Sequence, residues 1–285
     1  MVARGFTLVE LLMCLSIIAL LAGLMLPAVI GVRHQARRAE CANNLFQIGV
    51  ALANYHDAHR TFPPGYISHV GNLGQDLGPG WGWATMILPF VEQMETYGRI
   101  RFDESADSEW NSKWTGQHLE LFSCPADPSA CSYVACYGAG DFMRSPDQGE
   151  GMFFRNSRVR LRDVDDGPMT IMIGERSGVL GGATWASLYI PTTPEARSAP
   201  RRKQSTLTDR SAVLGHTGLN GSGDPVHTPN KPSACGAGFG SVHPGGANFL
   251  LVDGSARFVT TEVDPNVFAG LATRAGRELV NATDF

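Results

Sequence analysis

The sequence predicts an α+β fold in which one long N-terminal helix packs on a mostly antiparallel β-sheet domain with long loop insertions. Three observations carry that reading. An uncharged run from Leu11 to Val32 continues into Cys41, Leu45, Ile48, Leu52 and Tyr55, whose alternating steps of four and three mark one face of a helix. From Tyr133 onward the apolar runs shorten to strand length and turn residues separate them. Glycine (33) and proline (17) in 285 residues suit short strands and loops and disfavour a helical bundle.

The helix comes first. Leu11 to Val32 is 22 residues, and at about 1.5 Å of rise each it would extend roughly 33 Å, the thickness of a bilayer's hydrocarbon core. The helix is therefore expected to be half transmembrane, with residues 6–32 in the membrane and 33–62 as an amphipathic half beyond it. Pro63-Pro64-Gly65 must stop it, and His56 and His59 in its last turn complement the helix dipole. A cleaved secretory signal fits poorly: the run is too long, Ala28-Val29-Ile30 is a poor cleavage site, and a glycine, an aromatic and an acid precede the apolar stretch.

Gly5-Phe6-Thr7-Leu8-Val9-Glu10 resembles the prepilin processing signal of type IV pilins and type II secretion pseudopilins. The resemblance implies a leader of residues 1–5, cut after Gly5 by a prepilin peptidase that also methylates the new N-terminal Phe6. It further implies that Glu10, a costly carboxylate beside an apolar run, faces the N-terminal amine of a neighbouring pilin-like subunit. The expected location is the bacterial inner membrane, single pass, with the large domain in the periplasm or outside and the lipid bilayer as a partner. Arg33, Arg37 and Arg38 follow the apolar run and by the positive-inside rule alone would favour the opposite orientation; the processing motif overrides that rule here.

A second resemblance spans most of the chain. Cys41-Ala42-Asn43-Asn44-Leu45-Phe46-Gln47-Ile48-Gly49, Tyr55-His56-Asp57, Phe62-Pro63-Pro64-Gly65, Trp81-Gly82-Trp83 and Cys124-Pro125-Ala126-Asp127-Pro128 resemble the DUF1559 family of bacterial prepilin-type proteins. His243, Asp253 and Gly254 match that family's C-terminal H-x9-DG signature, whose role is unknown. Residues 63–285 are read as the family's globular domain, with 195–231 as an exposed excursion.

Charge is nearly balanced, 23 basic against 27 acidic residues, and nothing points to nucleic acid. Of the cysteines beyond the apolar run, the closely spaced Cys124, Cys131 and Cys136 are the first disulfide candidates in an oxidising compartment. Trp81, Trp83, Trp110, Trp114 and Trp185 read as core packing before they read as sugar platforms. Trp83 to Tyr97 reads as a short amphipathic helix, Met152-Phe153-Phe154 and Val159-Arg160-Leu161 as strands, and Thr170 to Glu175 as a buried strand ending on an acid.

Chemistry has few candidates. Asp163-Val164-Asp165-Asp166-Gly167 is out of step with a calcium loop by one residue, so calcium is the one cofactor considered and an Asp-Gly turn is the default. His243 and Asp253 could share a metal, with Glu175 as the third ligand, but no nucleophile motif accompanies them and no metal or catalytic residue is assigned. Asp253-Gly254 between two apolar runs signals a two-residue hairpin turn with both central residues at positive φ, and Asp264-Pro265 a helix start.

The expected function is structural: a pseudopilin-like subunit, processed by prepilin peptidase and assembled into a type II secretion or type IV pilus-like system, with no enzyme activity of its own. The alternative is a membrane-anchored extracellular module that binds glycans or other solutes. A metal-dependent enzyme using His243 and Asp253 comes third.

Overall fold

The structure is a computed structural model describing residues 8–127, 129, 131–140, 145–165, 167–178, 183–188, 209–218, 227–231 and 237–276. The leader, Gly5 and Phe6 lie outside the described residues, as do Cys235 and most of the 195–231 excursion.

Helix α1 runs from Leu8 to His59, 52 residues. Arg60, in the left-handed region at φ 62°, donates its N–H to the His56 carbonyl at 2.6 Å and closes the helix before Pro63. The predicted stripe is the packed face: Cys41, Leu45, Ile48 and Leu52 are buried. Short elements follow: strands β1 (Tyr66–Val70) and β2 (Asp76–Gly82), which pair antiparallel, then helices α2 (Trp83–Ile87), α3 (Met94–Arg99) and α4 (Ser112–Thr115). The helix read over Trp83 to Tyr97 breaks at Pro89, which sits in a 3-10 turn, Leu88–Phe90.

The central sheet holds β3 (Tyr133–Gly138), β4 (Ile171–Glu175), β5 (Leu214–His216), β6 (Gly246–Leu251) and β7 (Ala256–Thr260) in the order β5-β3-β4-β6-β7. Every neighbouring pair is antiparallel except β3 with β5. Strand periodicity divides the core: Tyr133, Ala135 and Tyr137 face α1 with Leu45, Ile48 and Leu250, while Val134 and Cys136 face the other way with Phe249 and Phe268 of helix α5 (Pro265–Ala272). The start of α5 is capped as its sequence predicts, Asp264 accepting from the N–H of Asn266 at 2.7 Å. Residues 152–154 and 159–161 are not strands, although Phe153 N–H still donates to the Cys136 carbonyl.

Two further expectations need correction. Among the described residues no helix is long and apolar enough to cross a membrane, which overturns the half-transmembrane reading of α1 and, with it, the transmembrane label and the single-pass inner-membrane placement. A span needs about 20 mostly apolar residues in one helix. The second correction is the β6–β7 turn, where Gly254 alone of the Asp-Gly pair has positive φ (81°). Asp253 Oδ1 accepts from the Ser255 N–H at 2.8 Å and Gly254 N–H donates to the Leu251 carbonyl at 3.0 Å, a wider turn closed by a left-handed glycine.

Candidate functional site

Four side chains from distant parts of the chain converge where α1 meets the sheet. Cys41 comes from the buried stripe of α1 and Cys124 from the loop before β3; they form a disulfide across 83 residues, with Cα atoms 5.2 Å apart. Glu175 ends β4, and His243 lies in the glycine-rich approach to β6. One donor atom from each of the four lies within 4.8 Å of the others, and all four residues are buried. His243 Nε2 is 3.4 Å from Cys124 Sγ and 3.7 Å from Glu175 Oε1.

A support layer fixes these groups. Asn248 on β6 donates its backbone N–H to Glu175 Oε2 at 2.7 Å and its Nδ2 to Oε1 at 2.9 Å. The His243 N–H donates to Ser241 Oγ at 3.2 Å, the Cys124 N–H to Ser132 Oγ at 3.0 Å, and the Tyr133 hydroxyl to the Cys41 carbonyl at 3.3 Å. Burial pushes the Glu175 carboxyl above its usual range despite the donors of Asn248. Burial, then the nearby charges of Arg38 and His34, pushes His243 down. Both directions favour the uncharged forms of the two groups, which approach to 3.7 Å.

Beside this cluster an open groove of about 680 Å³ separates α1 from the loop that carries Cys124. Glu40, Asn44 and Gln47, spaced to share one face of α1, form one wall, and His118, Glu120 and Asp127 are prominent on the other. Cys124 lines the groove too and so belongs to both features. Asp127 is fixed in place, its carboxylate accepting from the N–H groups of Ser129 at 3.0 Å and Gly178 at 3.1 Å.

The chain matches the family described as "Protein of unknown function (DUF1559)" over residues 31–266, most of its length. It belongs to the DUF1559 family. Residues 1–26 match the prokaryotic N-terminal methylation motif, which implies processing by a prepilin peptidase/methyltransferase. No curated protein and no solved structure matches the chain.

In this DUF1559 protein the signature residues part company. His243 enters the cluster, as does the nominated Glu175, but Asp253 and Gly254 form the exposed β6–β7 turn. Cys124 pairs with Cys41, while Cys131 and Cys136 are free, buried thiols on opposite faces of β3 and its lead-in. Trp81, Trp83 and Trp185 are buried in the core, and the face of Trp110 is covered by the Arg101 guanidinium at 4.1 Å. Asp163 Oδ2 accepts from the Arg160 N–H at 2.9 Å, which caps a turn; Asp166 lies outside the described residues. Sequence reasoning missed Cys41 as a site residue because it fits the apolar stripe so well. The family-like run from Cys41 to Gly49, which opens on a cysteine, was the signal.

The expectation of no enzyme activity is corrected: Cys41, Cys124, Glu175 and His243 group as metal-binding side chains do, which speaks against excluding catalysis. Sulfur, imidazole and carboxyl donors brought together in a buried site are the ligand types of transition-metal centres, and metal centres support catalysis as well as structure.

Proposed function

We propose that this protein is a processed, pseudopilin-like chain whose globular domain binds a small amine-bearing solute in the groove between α1 and the Cys124 loop. The observation that carries the reading is the groove: about 680 Å³ is the size of a small-molecule site, and Glu40, Glu120 and Asp127 give it an acidic lining with amide and hydroxyl groups between. Amine groups are the natural complement to carboxylates held in such a cleft.

The N-terminal part of the proposal is cleavage after Gly5, methylation of Phe6, and pairing of Glu10 with the Phe6 amine of a neighbouring subunit. The large apolar side chains exposed along α1, among them Leu12, Ile18 and Val32, support an assembled state in which other pilin-like chains cover them.

Calorimetric titration of the full-length chain with spermidine and, separately, with maltotriose tests the solute reading. Binding of spermidine that weakens several-fold in Glu40→Gln and in Glu120→Gln and falls with added salt is the expected result. Binding of maltotriose alone would transfer the groove to neutral glycans, and heat from neither probe would overturn the reading.

A further inference from the structure

The disulfide and the His243–Glu175 pair occupy one buried spot, and we propose that this spot is a redox-gated metal site. In the dithiol form Cys41, Cys124, His243 and Glu175 hold one zinc-class divalent cation, and disulfide and metal exclude each other. The inference does not depend on what the neighbouring groove binds.

Geometry argues for it first. In a tetrahedral site with bonds of about 2.0–2.3 Å, neighbouring ligand atoms stand roughly 3.3–3.8 Å apart. His243 Nε2 is already 3.4 Å from Cys124 Sγ and 3.7 Å from Glu175 Oε1. All four donor atoms lie within 4.8 Å of one another; the covalent S–S bond is too short for two separate ligands, and reduction removes it. Ligand chemistry gives the exclusion: a disulfide sulfur is neutral and a weak donor, whereas two thiolates with an imidazole and a carboxylate form a complete set for zinc. The oxidised site keeps only His243 and Glu175, too few for tight binding.

The second layer is also in place. Asn248 holds both carboxyl oxygens of Glu175 through two hydrogen bonds, the kind of outer contact that orients metal ligands. Cys131 and Cys136 supply an internal contrast: both are buried thiols pushed up to about 12 by burial, and neither belongs to a cluster of metal-binding side chains among the described residues.

The switching chemistry needs a dithiol reductant, and the groove leads to Cys124. One thiolate of the reductant attacks Cys124 Sγ; a mixed disulfide forms and Cys41 leaves as thiolate. The reductant's second thiolate then displaces Cys124. Two electrons pass to the protein, the reductant ends as its own disulfide, and the two cysteines take up two protons. On loading, the cation replaces those two protons and any proton on Glu175, all of which go to solvent. A disulfide oxidant reverses the sequence and expels the metal.

The test uses the full-length chain, reduced anaerobically with a phosphine, freed of excess reductant, and titrated with cobalt(II) followed by zinc(II). The expected result is one cobalt per chain, with the thiolate-to-cobalt charge-transfer band and the visible bands of tetrahedral cobalt, all lost when zinc is added. The disulfide form should show neither band, and oxidising the zinc-loaded protein should release zinc in step with the loss of thiols. A Cys131→Ser/Cys136→Ser variant should behave as wild type, and Asn248→Ala should bind about 10–100-fold more weakly. The proposal is overturned if the reduced wild type, folded by circular dichroism, binds no cobalt, if the oxidised form binds it equally well, or if the band follows Cys131 and Cys136.

Discussion

Glu175 ends β4 with both carboxyl oxygens held by Asn248, in a place that water does not reach. Its pKa is raised above the ordinary value of 4.5, chiefly by burial. The folded state therefore holds a proton that the unfolded state gives up as pH rises past 4.5, so the stability this residue supports is complete below that pH and declines as pH climbs through the folded pKa. Glu175→Gln has no proton to lose, and rotation of the Asn248 amide lets it keep both hydrogen bonds. The urea midpoint of the variant minus that of wild type, measured on the disulfide form, should become more positive from pH 4.5 upward. A difference that stays flat with pH would mean that Glu175 is not held protonated. At this scale the sequence is partly readable. His243 and Glu175 are metal-binding types to which the sequence assigns no metal, and they meet. Asp253 carries the same type and the same signature, but a hydrogen bond to its neighbour's N–H keeps it in a turn. Residue type says what a side chain can do; only the pairing of β4 with β6 decides which ones come together.

Helix α1 reaches the sheet through a glycine. A Cβ on Gly49 would lie 2.8 Å from Leu250 Cδ1 on β6, closer than packed atoms tolerate, whereas one on Gly31 of the same helix would meet nothing within 4 Å. Alanine at Gly49 should change stability little, because about 1 kcal/mol of helix propensity offsets the crowding at the tip of a flexible leucine. Leucine at Gly49 cannot be accommodated that way and should cost about 1–3 kcal/mol, while Gly31→Ala should be neutral or stabilising by up to about 1 kcal/mol. Denaturant midpoints of the three variants test this, and equal stability of Gly49→Leu and wild type would show that close helix–sheet contact is not what seats α1. The apolar stripe makes α1 legible in the sequence alone, since its spacing has one helical reading. Strands β1 and β2 are not legible there: Gly71 to Gly80 is rich in glycine and includes Pro79, so the stretch reads as loop, and its pairing rests on contacts far along the chain. Among these is Asp76, whose carboxylate meets Arg155 at 3.2 Å and Arg210 at 2.8 Å.

The whole molecule divides near residue 30. The methylation motif covers residues 1–26 and the DUF1559 match begins at residue 31, so the two occupy separate stretches joined by one continuous helix. Along that helix Leu8 and Cys41 are separated by 33 residues of rise, about 50 Å, far beyond the reach of a contact or a screened charge. The disulfide fastens α1 to the domain at Cys41, on the domain side of this division. Events at the two ends should therefore be independent. Intact-mass and N-terminal sequencing of the protein from its native cells should show a chain that begins at N-methylated Phe6, and Gly5→Leu should leave the five-residue leader in place. Cobalt binding by the reduced protein and the urea midpoint should be the same in the processed chain and in the uncleaved Gly5→Leu chain. A native chain that still begins at Met1 or Val2 would remove the pilin pathway from the account while leaving the domain's chemistry untouched. Unequal cobalt binding in the two forms would instead mean that the length of α1 carries a signal from one end of the molecule to the other.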